Sequence, residues 1–195
     1  MAAIALLIAA VPPAAMSSAE RPSIDRLRVE RLNAELLAGP TATQVLERRC
    51  AALGLADPPR VHAEVKRGTV VASASPARRR LKVGRLEMLG YRRVRLLCGD
   101  ILLSEATNWF VPARLTPAMN AALDGGDTPF GRVVLPLSPR RVTLSTWMVK
   151  AGRVPPGGVV VRHRALVLDG TGRPLAEVVE HYQRVLLGDG AAAAR

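Results

Sequence analysis

The chain has 195 residues, 49% of them hydrophobic, and its formal net charge is +12. This length and hydrophobic content predict one folded domain with a core of its own, and they exclude a disordered chain. All but three of the 28 basic residues are arginine, and they are spread over the whole length with only 3% aromatic residues among them. Because a nucleic-acid interface usually groups basic and aromatic residues, we expect no nucleic-acid partner and mostly solvated arginines.

The sequence contains few groups suited to metal or nucleophilic chemistry. Its two cysteines, Cys50 and Cys98, are too few for a disulfide scaffold, and neither has a metal-ligand partner nearby in sequence. The three histidines, His62, His163 and His181, show no metal spacing, so structural or surface roles are expected for them. Signatures for serine hydrolases, zinc proteases, phosphate loops and dinucleotide binding are absent. We therefore expect neither a metal nor a cofactor.

Residues 1–19 resemble a secretory signal peptide. Residues 2–11 form an apolar run, two prolines follow, and the small residues that come next predict cleavage after Ala19. The run is too short and too interrupted by proline for a transmembrane helix. Because no basic residue precedes it, the alternative is a cytoplasmic protein whose true start is Met16. The expectation is export to the periplasm or beyond.

Two helices are predicted at the start of the domain. Residues 23–38 place apolar side chains at helical spacing, and a Gly-Pro pair ends the helix. Thr41 or Thr43 can cap a second helix that runs to Leu53, with Gly54 as its C-terminal cap. This helix is rich in alanine and carries few side chains that suit base edges, which argues against a DNA-binding helix-turn-helix.

From about residue 60 the pattern changes to short strands. Thr116 and Pro117 begin one further helix among them, which two glycines end. Tight turns are predicted after residues 98 and 168. The predicted strands cover residues 61–65, 91–98 with an extension over 86–88, 101–111, 133–137, 142–149, 159–168 and 175–187. Helices followed by mostly antiparallel strands indicate an α+β fold.

The arginines fall into one dense run and one strand. The dense run consists of Arg78, Arg79 and Arg80. It follows small residues that are typical of a loop, so it is predicted to be a solvated loop. In the strand over residues 91–98, Arg92 lies on one face and Arg93 on the other.

At least one arginine of that strand must therefore lie among apolar neighbours, and a buried arginine needs an anion. The anion can be an acid of the chain or the carboxylate of a ligand. The last strand offers Glu177 and Glu180, on opposite faces.

Three stretches together resemble a known family: RVRLLCGDILLSEATNWFVPARLTP, DTPFGRVV and RHRALVLDGTGRPLAEVVEHY. They are similar to the chorismate pyruvate-lyase family and to its relatives, the ligand-sensing domains of certain transcription regulators. The resemblance covers about residues 30–187. It implies an antiparallel sheet of about six strands, with helices packed against it and helical flaps over a buried ligand. It assigns residues 20–187 to this single domain and leaves residues 188–195 as a frayed tail.

The resemblance also implies particular site residues. Arg93 corresponds to the arginine that holds the ligand carboxylate, and Glu180 to the acidic residue, so these two carry the predicted chemistry. Glu177 is the competitor for the acidic position. A backbone contact in the Thr-Pro-apolar-Gly turn falls on Phe130, and the contact from the first flap falls near Ala42.

The function implied by the resemblance is elimination of pyruvate from chorismate to give a hydroxybenzoate, without cofactor or metal. The alternative is a non-catalytic, exported protein of the same fold that binds aromatic or other small carboxylates. A third hypothesis is that this basic protein binds nucleic acid or an anionic surface, and it depends on net charge alone. In the first two readings the partner is a small aromatic or cyclic carboxylate, and the protein is expected to be a monomer.

Overall fold

The computed structural model describes residues 24–66, 75–150 and 158–188. Within these ranges the chain forms five α-helices and six β-strands. In chain order they are α1 (Ile24–Ala38), α2 (Ala42–Ala52), β1 (Val61–Lys66), α3 (Ser75–Leu81), β2 (Gly90–Cys98), β3 (Ile101–Phe110), α4 (Pro117–Gly125), α5 (Phe130–Val133), β4 (Arg140–Met148), β5 (Val159–Leu168) and β6 (Pro174–Gln183).

The six strands form one antiparallel sheet in the order β1-β2-β3-β6-β5-β4. This architecture confirms the predicted α+β class and the expected six strands. The last strand, β6, lies in the middle of the sheet between β3 and β5. Residues of β6 therefore have neighbours on both sides, and its side chains are buried over most of its length.

Several predicted boundaries are confirmed. Thr41 is the N-cap of α2, and its hydroxyl accepts a hydrogen bond from the backbone N–H of Gln44 at 3.3 Å. Thr116 caps α4 in the same way, with Pro117 at the first helical position. These caps satisfy backbone donors that a helix start leaves without an internal partner.

Three strand predictions are wrong. Residues 133–137 continue α5 into a 3₁₀ turn, and Pro136 among them has no N–H to donate to a sheet. Residues 86–88 precede β2 and have no strand partner, and the side chain of Leu86 is 97% exposed. The chain leaves β6 after Gln183, and residues 184–187 form another 3₁₀ turn.

The dense basic run is also not a loop. Arg78, Arg79 and Arg80 belong to α3, and Arg78 donates to the backbone carbonyls of Gly84 and Glu87. Arg80 donates twice to the carboxylate of Glu177, at 2.5 and 2.7 Å. The expectation of a fully solvated run is therefore corrected: an acid from the middle of the sheet binds one of its arginines.

The two faces of the sheet have different environments. We call the face with Val94, Ala106 and Glu180 the inner face, because these residues pair across neighbouring strands and are buried. Helices α1 and α2 contribute apolar side chains to the core on this side. The opposite face, the outer face, carries Glu177 and is covered in part by α3, which contacts β6.

One disulfide bond crosses the inner side of the fold. It joins Cys50 of α2 to Cys98 at the end of β2, with 6.2 Å between their Cα atoms. Two cysteines 48 residues apart carry no spacing signal that predicts this bond. The pairing follows from the packing of α2 against the strand end.

The Glu177 ion pair generates the first prediction. Glu177→Gln leaves Arg80 and Arg164 without a counter-charge, so we expect it to lower the free energy of unfolding by about 1 to 3 kcal/mol. Glu64→Gln removes a carboxylate of a solvent-exposed pair with Arg95 and should cost less than about 1 kcal/mol. Urea unfolding of the two variants measures both values, and equal losses would contradict a special role for the buried pair.

Candidate binding site

A cavity lies between the inner face of the sheet and the first turns of α2 and α5. Its empty volume is about 450 Å³, a figure that includes solvent open to the surface. Its walls are mainly apolar, with a few polar groups placed among them. The lining residues are Thr41, Ala42, Thr43, Val94, Leu96, Ala106, Asn108, Pro129, Phe130, Gly131, Arg141, Val167, Val178 and Glu180.

Two short helical turns cover the cavity and touch each other. A Cβ atom at Gly131 of α5 would lie 2.6 Å from the Thr43 hydroxyl and 3.0 Å from the Thr41 Cβ, so glycine allows this close approach. Arg132 of α5 also forms an ion pair with Glu47 of α2. These contacts hold α2 and α5 together over the cavity, and the disulfide fixes α2 at its other end.

A buried ion pair forms the polar part of the cavity wall. Arg141 of β4 donates from Nη2 to the carboxylate of Glu180 on β6, and their side chains are only 3% and 8% exposed. Arg141 Nη1 also donates to the Thr143 hydroxyl at 3.2 Å. Burial alone would lower the pKa of Arg141, but the Glu180 carboxylate outweighs it and raises this pKa. The Arg141 guanidinium therefore stays charged inside the protein.

The Nε–H group of Arg141 is buried and has no hydrogen-bond partner among the described residues. A buried donor without a partner costs free energy, so it favours any group that can reach it and accept its hydrogen bond. Arg141 thus presents a donor beside the acceptor oxygens of Glu180.

His163 on β5 supports this arginine. Its Nδ1 lies 3.2 Å from Arg141 Nη1, and its Nε2 lies 2.8 Å from the Asn33 Oδ1 of α1. An arginine can only donate, so Nδ1 must be the unprotonated acceptor and Nε2 must carry the proton. Burial, together with the Arg141 charge, lowers the pKa of His163 to about 4, although Glu180 acts in the opposite direction. The imidazole is therefore neutral at ordinary pH.

Tyr182 completes this buried cluster. Its side chain is fully buried, its ring meets the His163 ring edge-on at 5.6 Å, and its hydroxyl has no hydrogen-bond partner among the described residues. Burial raises the pKa of Tyr182 well above its ordinary value, and the Glu180 charge adds to this. The phenol therefore stays protonated.

Arg92 is a second buried cation on the inner face. It is only 5% exposed and does not itself line the cavity, but it lies directly across from Asn108, a cavity residue on β3. Its Nη atoms donate to the carbonyl oxygens of Gly126 and Thr128, at 3.2 and 3.4 Å, whereas its Nε–H group has no partner. Burial lowers the pKa of Arg92, partly offset by the charge of Asp124. No carboxylate of the described residues accepts a hydrogen bond from Arg92.

Of the residues predicted from sequence, three meet at the cavity. Glu180, Phe130 and Ala42 all line it. Arg93 does not: its side chain is exposed on the outer face, where its strand partner is Thr107. The assignment of the ligand-carboxylate arginine to Arg93 is therefore corrected, because side chains alternate along a strand and the neighbouring Arg92 takes the inner face.

The structure also separates the two acidic candidates. Glu177 lies on the outer face, where Arg80 and Arg164 bind its carboxylate. Glu180 lies three residues later in β6 and therefore points to the inner face and the cavity.

Sequence reasoning missed Arg141, His163 and Asn33. A signal existed for His163, since it alternates with Arg162 and Arg164 in β5, and those two were expected to be solvated, which leaves histidine on the apolar face. Arg141 follows another arginine at the start of its strand, and nothing in that pair indicates which one is buried. Asn33 has no distinguishing pattern.

Two further findings concern the described residues. None of their helices combines the length and apolar character needed to cross a membrane. No cluster of three or more His, Cys, Asp and Glu side chains in this part of the chain could hold a metal ion.

The fold and cavity define an antiparallel α+β protein with a mainly apolar cavity whose wall contains buried charges. No family model matches the chain, so membership of the chorismate pyruvate-lyase family stays a prediction. The chain is 37% identical over 177 residues to the uncharacterized protein y4mC of Sinorhizobium fredii, across 82% of this chain and 75% of that protein. It therefore belongs to the same family as y4mC.

Solved structures with a similar arrangement include bacterial transcription regulators. The effector domain of PhnF from Mycobacterium smegmatis has a TM-score of 0.48 at 10% identity, over 70% of this chain and 90% of that one. A GntR-family regulator from Enterococcus faecalis has a TM-score of 0.43 at 12% identity, over 63% of this chain and 94% of that one. YydK of Bacillus subtilis, described as a possible transcriptional regulator, has a TM-score of 0.43 at 12% identity. The match covers 63% of this chain and 58% of YydK, so this chain spans less than two thirds of YydK. A likeness at this level does not identify a ligand or an activity.

His163 generates the second prediction. Its pKa falls from 6.5 in the unfolded chain to about 4 in the folded one, so between these values the unfolded state binds the extra proton. As pH falls through this window, the free energy of unfolding should therefore decrease, by up to about 3 kcal/mol from this group. Urea unfolding across that pH range, compared with His163→Asn, isolates the contribution. Parallel curves for the two proteins would contradict a buried neutral imidazole.

Proposed function

We propose that this protein binds a small organic carboxylate in the cavity under α2 and α5. The observation that supports this proposal is Arg92, a buried cation on the inner face that does not itself line the cavity but lies across from Asn108, which does. Among the described residues no carboxylate accepts a hydrogen bond from Arg92, and its Nε–H donor is unused. A buried charge is costly unless an anion compensates it, and an arginine binds a carboxylate through two parallel hydrogen bonds. A ligand carboxylate beside Asn108 would supply that anion.

The other polar spot favours a hydroxyl group on the ligand. The Arg141 Nε–H group is a donor, and the neighbouring Glu180 carboxylate is an acceptor. A hydroxyl both accepts and donates one hydrogen bond, so it complements this pair, whereas a second carboxylate would be repelled by Glu180.

The remaining walls suit an aromatic or cyclic body. Val94, Leu96, Val167, Val178 and Phe130 give the cavity apolar surfaces between its polar groups. The first turn of α2 also lines it, so the positive end of that helix adds to the preference for an anion. Hydroxybenzoates combine all three features, in agreement with the ligand class that the sequence resemblance implies. The net charge of +12 would assist the approach of an anion.

Chorismate lyase chemistry is the second candidate function, and the position of Glu180 in the cavity wall is the observation that favours it. In that reaction the ether C–O bond of the enolpyruvyl group breaks and the ring loses a proton to become aromatic. The released enolpyruvate takes up a proton to give pyruvate. Holding the ring in place provides much of such catalysis. Glu180 already accepts from Arg141, however, which suits a binding role better than proton transfer.

The neighbouring arginines of β2 provide a matched test of binding. Arg92→Gln and Arg93→Gln each remove one positive charge, but only Arg92 lies on the inner face. We expect Arg92→Gln to weaken binding of 4-hydroxybenzoate by at least about tenfold, and Arg93→Gln to leave it unchanged, measured by titration calorimetry. Equal losses in both variants would indicate long-range attraction instead of a site at Arg92. A loss in Arg93→Gln alone would restore the original assignment.

Incubation with chorismate distinguishes the two candidate functions. We expect the folded protein to bind chorismate without releasing pyruvate faster than buffer does. Pyruvate and hydroxybenzoate formation can be followed together, with Glu180→Gln as the matched variant. Product release that Glu180→Gln abolishes would instead establish the lyase.

A further inference from the structure

The hydrogen bonds of Arg141 determine how its guanidinium group faces the cavity. Nη1 donates to His163 Nδ1 and to the Thr143 hydroxyl, both at 3.2 Å, and Nη2 donates to Glu180. Because a guanidinium group is planar and rigid, fixing the directions of both Nη atoms also fixes the direction of Nε–H. The unpartnered Nε–H donor is therefore oriented by Glu180, which lines the cavity, and by His163 and Thr143, which do not.

Among the three partners of Arg141, His163 is the one whose acceptor atom depends on the position of a ring proton. A neutral imidazole offers an acceptor at Nδ1 only while its proton is on Nε2. Asn33 Oδ1 accepts that proton in a hydrogen bond, with 2.8 Å between Nε2 and Oδ1. The charged and titratable groups facing the ring are Arg141 from β4 and Glu180 and Tyr182 from β6, and the amide of Asn33 faces it from α1. Asn33 thus selects the tautomer that Arg141 requires.

We propose that His163 is a positioning residue for the ligand site, which accepts from Arg141 and so directs the Arg141 Nε–H group at the hydroxyl of the ligand. This inference rests on the proposed function, since it concerns the second polar spot of the same cavity. It separates the two ends of the ligand: Arg92 holds the carboxylate, and the Asn33–His163–Arg141 chain sets the preference for a hydroxyl.

The test compares two ligands that differ only in that hydroxyl, 4-hydroxybenzoate and benzoate. Their affinities are measured by titration calorimetry for the parent, His163→Leu and His163→Asn. Leucine removes the acceptor, whereas the asparagine amide oxygen retains one near the Nδ1 position. We expect the preference for 4-hydroxybenzoate over benzoate to fall about tenfold in His163→Leu and to recover largely in His163→Asn.

Matched controls keep the outcome interpretable. His181→Leu removes a histidine from the outer face of β6 and should leave the preference of the parent intact. Circular dichroism shows whether His163→Leu folds. If it does not, Asn33→Ala tests the same series of hydrogen bonds from α1 and should lower the preference for 4-hydroxybenzoate over benzoate.

Each remaining outcome overturns one of the two proposals. If His163→Leu loses affinity for both ligands in the same proportion, the residue is structural and the inference fails. If the parent binds both ligands equally and Arg92→Gln abolishes binding of both, the carboxylate site is supported and the hydroxyl subsite is wrong. If the folded parent binds neither ligand, the proposed function itself is wrong, and the inference falls with it.

Discussion

The ion pair between Arg141 and Glu180 is the interaction on which the polar side of this cavity depends. Removing two charges from water costs several kcal/mol for each ion, and only close geometry with further hydrogen bonds offsets that cost. Here the further bonds come from His163 and Thr143, and His163 is in turn held by Asn33. Four elements of the fold therefore meet at one buried pair, and the Nε–H group of Arg141 has no partner in the part of the chain that the structure describes.

The cavity also depends on how its cover is held. Helix α2 is fixed at one end by the Cys50–Cys98 bond and by the ion pair of Arg49 with Glu35 of α1. Its first turn rests on α5 at Gly131, where any side chain would collide with threonine. The cover and the sheet are thus joined at several points, so the distance between the cavity walls follows from packing of the whole domain rather than from one loop.

The distribution of arginine shows how much of the charge could be understood in advance. Alternation along β2 correctly predicted that Arg92 and Arg93 lie on opposite faces and that at least one arginine of the strand is buried. It did not identify the inner face, because the next residues, Leu96 through Cys98, are all buried and provide no polar side for reference.

The sequence by itself determined the α+β class and most helix and strand boundaries. Its resemblance to a known family also grouped Glu180, Phe130 and Ala42, which line one cavity. Hydrophobic periodicity and capping residues are local signals, and the chain carries them without reference to the rest of the fold. Only the tertiary structure decided that Arg92 and Arg141 are the buried cations and that His163 is neutral. These properties arise between strands far apart in sequence, and the order and register of the sheet bring such strands together.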